Sequence, residues 1–317
     1  MVLILLAEKI ILKSESIKDQ MKKIAIFSTQ RTIGMIIENW FVQNILLPSK
    51  SICLDWDLEN LKDRVVVYVE VEEIDLKIID KLKENNNKVV LFQMGDETAK
   101  KFNRDAYDKV DFIIRNYYFS EIFDVPEFAN KLIWIPNGYK TGIGPRDPTG
   151  LRLADQRKFL SSFLGWLDNP NSFGNERHLF REISAECSQD LLIHSTPSFA
   201  SGFNAGLYSA IMEYSVYCPC PAGNNPSSIR MYDALELGCI PISLKHEYLL
   251  TDQAMGPVPF PLLNTWLELP EFLRNARANF LNDSKLVNQL QKDCMDWWSI
   301  AKDKWKGQII ERLQSLH

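Results

Sequence analysis

The stretch that decides the fold runs from Tyr217 to Ile242 and reads YCPCPAGNNPSSIRMYDALELGCIPI. A short apolar strand enters the loop Pro221–Pro226, whose Pro, Gly and Asn residues suit tight backbone turns. Ser227 or Ser228 can then cap the amphipathic helix that follows, and a second apolar run ends the stretch. Strand, tight loop, helix and strand in this order predict part of a parallel sheet covered by helices.

The start of this helix has the features of an anion site. A helix N-terminus presents backbone N–H groups and partial positive charge to the loop before it. Arg230 lies in the first turn, where its guanidinium can offer a forked pair of donors to a phosphate. Asp233 follows one turn later on the same face, where a carboxylate can accept both hydroxyls of a ribose. The alternative interpretation is a solvated ion pair on a surface helix.

Apolar strands alternate with helical patterns on both sides of this stretch. The predicted strands are Lys23–Phe27, Arg64–Val71, Lys88–Met94, Asp111–Ile114, Lys131–Ile135, Lys158–Leu164, Asp190–Ile193, Val216–Cys218 and Ile240–Leu244. The predicted helices are Ile74–Leu82, Glu176–Ser184, Leu207–Tyr214, Ser228–Leu237 and a long amphipathic helix from Leu286 to the end. This alternation predicts an α/β protein with parallel sheets buried on both faces.

The segment Lys140–Arg157 is rich in Gly, Pro, Asp and Arg, which is typical of a linker. The 317 residues are enough for two domains at roughly 150 residues each. We therefore expect a first domain over residues 1–145 and a second, ending in the long helix, over residues 146–317. Ligands of open parallel sheets bind beyond the carboxyl ends of the strands, so the loops after the strands hold the candidate site residues.

Composition excludes several classes of protein. The 36 basic and 41 acidic residues give a net charge of −5, which disfavours a general nucleic-acid or anionic-membrane binder. Six cysteines lie scattered without a CxxC pair, which is typical of buried thiols in a reducing compartment. No signal-peptide pattern and no run of about 18 apolar residues is present in the sequence. We expect a soluble cytoplasmic protein without a transmembrane segment.

The stretch quoted above resembles the donor-binding segment of the exostosin-like glycosyltransferases. The residues that carry this resemblance are Tyr217-Cys218, Pro221, Gly223, Ser228, Arg230, Asp233, Ala234-Leu235 and Gly238-Cys239-Ile240-Pro241. A second block is similar to the N-terminal half of that family and contains Met94–Glu97, Ile114–Tyr118 and Ile135–Tyr139. The nearest members are the ribitol xylosyltransferase-like and other xylosyltransferase-like proteins. Animal members carry an N-terminal membrane anchor, so we expect a bacterial or viral cytosolic version.

The resemblance implies a GT-B architecture, in which two Rossmann-like domains face each other across a cleft. It implies inverting transfer of a sugar, such as xylose from UDP-xylose, to a hydroxyl of a glycan, glycoprotein or polyol acceptor. It implies no cofactor and no obligatory metal, since protein cations and the helix N-terminus neutralise the leaving diphosphate. The candidate donor-binding residues are Gly165, Arg177, His194, Asn224, Ser228, Arg230 and Asp233. For His194, a plain core or surface histidine is an equally good interpretation.

An inverting displacement needs a base for the acceptor hydroxyl. Asp96 and Glu97 end a predicted strand of the first domain and are the candidates. The alternative is that they cap a helix beginning near Thr98. The candidate acceptor-binding residues are Arg115, Asn116, Tyr117 and Tyr139, each of which would fit interdomain packing equally well.

Two other classes of enzyme compete with this interpretation. Asp55-Trp56-Asp57 has the spacing with which GT-A glycosyltransferases hold a metal ion, although it precedes a predicted strand instead of following one. A dinucleotide-binding oxidoreductase would carry G-x-G-x-x-G after the strand Lys23–Phe27, and the sequence there is different. A third alternative is a non-catalytic carbohydrate-binding protein that keeps a degenerate transferase fold.

Overall fold

A computed structural model describes residues 24–28, 42–46, 52–55, 57–71, 73–199 and 201–316. These residues form two compact units. The first unit contains the described residues up to Ile135, together with the end of the chain from Trp305. The second unit contains Pro136–Lys304. The structure thus divides the chain just after residue 135, whereas the sequence suggested residue 145 and assigned the whole tail to the second domain.

The first unit is built on a six-stranded parallel sheet in the order β2-β1-β3-β4-β5-β6. Its strands are β1 (Ile24–Ser28), β2 (Ile52–Leu54), β3 (Val65–Glu70), β4 (Lys88–Gln93), β5 (Phe112–Arg115) and β6 (Leu132–Trp134). The central strands are rich in β-branched residues and almost wholly buried, as expected for a sheet covered on both faces. In the register, Glu70 is the partner of Gln93, and Gln93 is the partner of Arg115.

Three short α-helices lie within the described residues of this unit. They are α1 (Leu76–Glu84), α2 (Arg104–Lys109) and α3 (Ser120–Phe123). Asp75 caps α1 and Asn103 caps α2, because each side chain accepts a backbone N–H of the first turn. The helix suggested near Thr98 is absent: residues 97–101 form turns and a bend, and the next helix begins at Arg104. The helical pattern proposed through Trp40 and Phe41 lies outside the described residues.

The second unit contains a five-stranded parallel sheet in the order β11-β10-β9-β7-β8. Its strands are β7 (Phe159–Gly165), β8 (Leu191–Ser195), β9 (Ser215–Pro219), β10 (Ile240–Leu244) and β11 (Leu262–Leu263). The α-helices that begin in this unit are α4 (Glu176–Ser184), α5 (Ala205–Glu213), α6 (Ile229–Glu236), α7 (Leu269–Asn282) and α8 (Ser284–Ser315). The helix α6 follows β9 through the loop Pro221–Pro226, as the sequence predicted.

Short turns of 3₁₀ helix and one π-helical turn, Val42–Leu46, complete the described elements. The 3₁₀ turns are Leu58–Asn60, Pro126–Phe128, Pro148–Gly150, Ala154–Gln156, Phe173–Asn175, Ala185–Cys187, Glu247–Leu249 and Trp266–Glu268. The predicted strands are present with ends that differ by about two residues at most. The strands β2 and β11 and the helices α2, α3 and α7 were not anticipated from the sequence.

The long C-terminal helix α8 is amphipathic, as predicted, but its buried face differs from the expected one. Its buried residues are Val287, Gln291, Cys294, Trp298, Ala301, Trp305, Ile309 and Leu313. The spacing in the sequence predicted a face made of Leu290, Cys294, Trp297, Ala301 and Trp305. Trp298 is buried in place of Trp297, because the stripe follows steps of three and four from Val287. None of the helices within the described residues has the length and apolar character needed to cross a bilayer.

Candidate functional site

A pocket opens in the second unit where β7 ends, beside the N-terminus of α6. Loops after β7 and β8 and the first turns of two helices form its walls, as expected for a ligand site of a parallel sheet. It is lined by Lys140, Ile143, Leu164, Gly165, Trp166, Arg177, Thr196, Phe199, Ser201, Phe203, Asn204, Ala205, Tyr208, Ser228, Ile229 and Arg230. Four of the predicted donor-binding residues are therefore together in one pocket: Gly165, Arg177, Ser228 and Arg230.

Arg230 is the most informative side chain of the pocket. It is only 7% exposed, and its Nη2 donates to the backbone oxygen of Leu164 at 2.6 Å. Its guanidinium carbon lies 4.0 Å from the centre of the Phe163 ring, a cation–π contact. Its Nε and Nη1 are buried without an acceptor among the described residues. Buried charged donors are costly unless they are hydrogen-bonded, so an acceptor from a bound anion at these two nitrogens would be stabilising.

Arg177 lies in the first turn of α4 and holds the walls of the pocket together. Its Nε donates to the backbone oxygen of Ala222 at 3.1 Å, and its Nη1 donates to that of Trp166 at 2.5 Å. The arginine thus joins the loop after β7 to the loop that leads into α6. Its positive charge is at the pocket wall, but part of its hydrogen-bonding capacity serves the protein backbone.

Ser228 occupies the N-cap position of α6 and lines the pocket. The predicted side-chain cap is not formed: the Ser228 hydroxyl makes no capping hydrogen bond, and the Ser227 hydroxyl lies 2.7 Å from the Tyr232 hydroxyl. Asn225 accepts the Ser227 N–H through Oδ1 at 2.9 Å and so fixes the turn instead. The side chain of Ser228 is thereby left to face the pocket.

Gly165 is needed because Arg230 approaches the backbone closely. A Cβ atom at this position would lie 2.0 Å from Nη2 of Arg230, far inside van der Waals contact. The hydrogen bond from Arg230 to Leu164 therefore depends on a glycine at the last position of β7. The sequence placed Gly165 at the site, but the physical reason appears only in the structure.

Three predicted donor-binding residues lie outside the pocket lining, and two of them, His194 and Asn224, are exposed. His194 is exposed on β8, and its ring meets the edge of the Phe203 ring with 4.6 Å between centres. His194 and Ser195 are part of β8, although the sequence placed both after the strand. Asn224 is exposed, and its Oδ1 accepts the Asn169 side-chain amide at 3.1 Å. We therefore leave both residues out of the candidate donor site.

Asp233 lies one turn beyond Arg230 on α6, as predicted, but it does not line the pocket. Its side chain is fully buried, and its Oδ1 accepts the backbone N–H of Lys140 at 2.7 Å. Burial raises the pKa of Asp233 to about 6, while the Lys140 N–H, the Lys140 charge, Tyr208 and Arg230 limit the rise. The carboxylate is thus directed at the polypeptide backbone.

Lys140 and Tyr208 are pocket residues that the sequence interpretation did not assign to the site. The ammonium of Lys140 lies 5.1 Å from the centre of the Tyr208 ring and 5.8 Å from that of Phe199. The loop 196–205 adds the ring of Phe203 and the polar side chains Thr196, Ser201 and Asn204. Lys140 directly follows the family block Ile135–Tyr139, which could have suggested it as a site residue. The residues around it in the sequence do not indicate that it faces α6.

One of the candidate acceptor-binding residues of the first unit, Arg115, belongs to a buried ion pair. Arg115 and Asp96 are joined by a 2.8 Å contact between Nη2 and Oδ2, with their side chains 1% and 3% exposed. The guanidinium also donates to the Gln93 side chain, the Tyr107 hydroxyl and the backbone oxygens of Tyr117 and Asp96. Arg115 thus has protein acceptors for its guanidinium, which favours a stabilising role in the fold over contact with an acceptor substrate.

Glu97 differs from its neighbour Asp96. It is partly exposed, and its Oε1 accepts the Tyr117 hydroxyl at 3.3 Å. Tyr117 and Asn116 are themselves buried in the first unit, at 2% and 1% exposure. Of the two candidate carboxylates, only Glu97 therefore combines a fixed position with access to solvent.

Tyr139 belongs to the second unit and is also buried. A Cβ atom on Gly144 would lie 2.8 Å from the Tyr139 ring, and the Lys302 ammonium is 5.9 Å from its centre. The ring is packed between these residues, so its face is not an open surface for stacking a sugar.

Asp55 and Asp57 are both used by the local backbone. Oδ1 of Asp55 accepts the Asp57 N–H at 3.0 Å, and Oδ1 of Asp57 accepts the Glu59 N–H at 3.0 Å. Contrary to the sequence interpretation, Asp55 does follow a strand, the short β2. Within the described ranges, no group of three or more His, Cys, Asp or Glu side chains is arranged to hold a metal ion.

Comparisons with known proteins agree with this architecture. An α-glucosyltransferase in complex with UDP and a 13-mer DNA has a TM-score of 0.56 at 9% identity, covering 92% of this chain and 99% of that one. A UDP-forming α,α-trehalose-phosphate synthase from Burkholderia xenovorans has a TM-score of 0.52 at 11% identity, covering 93% and 99%. Identities this low establish the fold alone. The predicted fold class is confirmed: the chain has the two parallel α/β sheets of GT-B glycosyltransferases.

Sequence comparisons are similar in outcome to the resemblance of the motifs. Residues 107–256 match the family model described as the Exostosin GT47 domain. Ribitol-5-phosphate xylosyltransferase 1 of Danio rerio is 24% identical over 174 residues, which are 50% of this chain. The same alignment spans 38% of that protein's own length. Just under half of the chain is thus similar to the Exostosin GT47 domain, in agreement with the resemblance that its motifs indicated.

Proposed function

We propose that this protein transfers a sugar from a nucleotide-sugar donor bound in the pocket of the second unit. The observation that carries the proposal is the charge of the pocket. Lys140, Arg177 and Arg230 line it, no carboxylate is among the lining residues, and two N–H groups of Arg230 lack an acceptor within the described chain. Such an arrangement fits a diphosphate, which carries negative charge and many acceptor oxygens.

The donor is held by complementary parts of the pocket. The diphosphate contacts Arg230 and the N-terminus of α6, where the helix dipole favours negative charge. The rings of Phe199 and Phe203 offer apolar surface to the base or the sugar, and Thr196, Ser201 and Asn204 offer hydrogen bonds. Because negative charge grows on the leaving diphosphate, these cations stabilise the transition state more than the bound donor.

Uridine is the nucleoside we propose, and xylose is the first sugar to test. The α-glucosyltransferase with the same fold was solved with UDP-glucose, and the trehalose-phosphate synthase is described as UDP-forming. The zebrafish relative is named a ribitol-5-phosphate xylosyltransferase, which supports a hydroxyl of a polyol or glycan as the acceptor. We propose that Glu97 takes the proton from this hydroxyl in an inverting displacement, for which a partly exposed carboxylate is suited.

A metal ion is not needed in this proposal. The three cationic side chains of the pocket supply the positive charge that a divalent ion supplies in other transferases. Asp55 and Asp57, the pair with metal-binding spacing, have backbone N–H groups as hydrogen-bond donors.

The donor is identified by thermal shift with UDP-, GDP-, CMP- and dTDP-sugars, followed by assay of nucleotide release. A ligand that binds only the native state adds roughly 2.7 kcal/mol to its stability at a hundred times Kd. UDP-sugars should raise the melting temperature, and one of them should be hydrolysed slowly in the absence of acceptor. The proposal is wrong if no nucleotide sugar is bound or hydrolysed.

A further inference from the structure

The segment 136–146, called the strap here, is fastened along the whole of α6. Asn137 Nδ2 donates to the backbone oxygen of Ser227 at 3.3 Å, just before the helix begins. The Lys140 N–H donates to Asp233 at 2.7 Å, and the Arg146 N–H donates to Oε1 of Glu236 at 2.7 Å. Two carboxylates of α6, one turn apart, thus accept backbone N–H groups of the strap.

Asp233 is placed for this contact and not for contact with a ligand in the pocket. Its side chain has no exposed surface, and it is absent from the pocket lining. Its Oδ1 is used by the strap, and its Oδ2 is buried without a hydrogen-bond donor among the described residues, so a ribose hydroxyl could reach Oδ2 only if the surrounding residues moved. Burial and the neighbouring Asp233 raise the pKa of Tyr208 well above its ordinary value, so Tyr208 remains a neutral phenol beside the carboxylate.

The strap carries the third cation of the pocket. Its residue Lys140 is bound to Asp233 through the backbone N–H, while its ammonium extends over the rings of Tyr208 and Phe199 at the pocket. The distance between the Lys140 backbone and α6 is therefore set by one hydrogen bond to a fully buried acceptor. Loss of that acceptor would release the backbone that aims the ammonium.

We infer that Asp233 is a positioning residue, which fixes the strap so that Lys140 contacts the phosphates of the bound nucleotide, and that it does not bind ribose. This inference rests on the proposed donor site. It differs from the ribose role that the sequence suggested, and it adds Lys140 to the diphosphate-binding residues. If Asp233 positions Lys140, its loss should weaken the binding of ligands that contain phosphate. If Asp233 binds ribose, its loss should weaken the binding of nucleosides directly.

Calorimetry with UDP, uridine and inorganic pyrophosphate separates these roles. Asp233→Ala should weaken the binding of UDP and of pyrophosphate by the same factor, roughly tenfold, since an interaction with a charged group contributes about 1.5–3 kcal/mol. The affinity for uridine should stay unchanged. Asp233→Asn keeps an oxygen acceptor for the Lys140 N–H and should bind both ligands nearly as the parent does. Lys245→Met, an exposed lysine outside the pocket lining, is the control for Lys140→Met.

The double variant gives the decisive comparison. If Asp233 acts through Lys140, Asp233→Ala should cause no further loss of UDP affinity in the Lys140→Met background. Additive losses, or weaker binding of UDP and uridine with unchanged pyrophosphate affinity, would overturn the inference and restore the ribose role. Failure of the parent protein to bind either UDP or pyrophosphate would instead overturn the proposed donor site.

A measurement without ligand tests the strap itself. The Lys140 amide should exchange slowly with deuterium in the parent and in Asp233→Asn, and rapidly in Asp233→Ala, while amides in the middle of α6 stay protected. Equal protection of Lys140 in all three proteins would show that Asp233 does not hold the strap, whatever the state of the donor site.

Discussion

Two adjacent carboxylates at the end of β4 have different surroundings. Asp96 is buried in an ion pair with Arg115, whereas Glu97 is partly exposed and accepts the Tyr117 hydroxyl. In the sequence they are equivalent, because both follow the same strand. Their different burial favours a stabilising role for Asp96 and supports Glu97 as the proposed base.

Glu97→Gln should lower kcat by roughly a hundredfold or more, the usual contribution of a general base, with little change in donor affinity or melting temperature. Asp96→Asn should instead destabilise the protein by about 3–5 kcal/mol, because it leaves the Arg115 charge buried without its partner. Steady-state kinetics and chemical denaturation of both variants check this contrast. Normal turnover by Glu97→Gln would place the base elsewhere.

The pKa of Asp233 makes stability depend on pH in a defined direction. Burial raises this pKa from 3.8 to about 6 in the native state, against the opposing effects of Lys140, Tyr208 and Arg230. The native state then binds the proton more tightly than the unfolded state. The stabilisation is complete below about pH 4 and is lost as the pH rises through about 6.

Asp233→Asn removes this dependence and shares every other titrating group with the parent. Between pH 4 and pH 7.5 the parent should lose about 2.5 kcal/mol of unfolding free energy relative to the variant, since one pKa unit corresponds to about 1.4 kcal/mol and the unfolded-state carboxyl is already partly ionised at pH 4. Urea denaturation of both proteins at the two pH values measures the difference. A constant difference in stability would contradict a raised pKa.

The sequence could identify the residues whose neighbours are local. Ser228 and Arg230 follow from the helix start, and Gly165 and Arg177 follow from the end of β7 and the start of α4. It could not identify Lys140, because the contact that places it is with a residue 93 positions away. It also included His194, which lies outside the pocket lining, since strand ends are uncertain by about two residues and side chains alternate between faces.

At the scale of elements, β7 and α6 have to approach each other closely for the pocket to form. Arg230 reaches from the first turn of α6 to the backbone oxygen of Leu164, over the glycine that ends β7. The pocket therefore depends on a strand end and a helix start that are distant in sequence. Their packing fixes the guanidinium before any ligand arrives, which reduces the cost of ordering on binding.

Gly165→Ala tests this approach. Its Cβ would lie 2.0 Å from Nη2 of Arg230, so the guanidinium has to move and the bond to Leu164 is lost. We expect UDP affinity to fall about tenfold, as for loss of one charged hydrogen bond. Gly150→Ala, where a Cβ meets no atom within 4 Å, is the matched control and should bind UDP normally. Equal affinities in both variants would contradict the role of Gly165.

Long apolar runs allowed most elements to be predicted. The strands β3 and β4 contain β-branched runs of several residues, and α4 has clear helical spacing. The strands β2 and β11 have three and two residues, too few to show periodicity. The helix suggested near Thr98 was wrong because Asp96 instead accepts the Lys101 N–H and binds Arg115, and this closes a turn.

At the scale of the whole molecule, the fold is retained at very low sequence identity. The solved transferases that share it are 9–11% identical over most of the chain, so few individual side chains are needed to specify the two sheets. The family motifs lie within residues 107–256, which include β9, α6 and β10. The fold alone therefore does not define the function, which depends on the side chains of the pocket.

We expect the whole reaction to proceed without a metal ion. Activity should persist in EDTA, because protein cations neutralise the diphosphate in the proposed site. Asp55→Ala and Asp57→Ala should retain turnover and lose about 1 kcal/mol of stability, as expected when a side-chain cap of a backbone N–H is removed. Complete loss of activity in EDTA, restored by Mn²⁺ and abolished by either substitution, would favour a metal site at these residues.

Calorimetric titration of UDP into Arg230→Met and Arg181→Met tests directly whether the pocket beside α6 holds the donor nucleotide. Arg181 is an exposed arginine of α4 outside this pocket, so the two variants change net charge equally. With melting temperatures near that of the parent, Arg230→Met should bind UDP about tenfold to a hundredfold more weakly, and Arg181→Met should bind it normally. Unchanged UDP affinity in Arg230→Met would contradict the account.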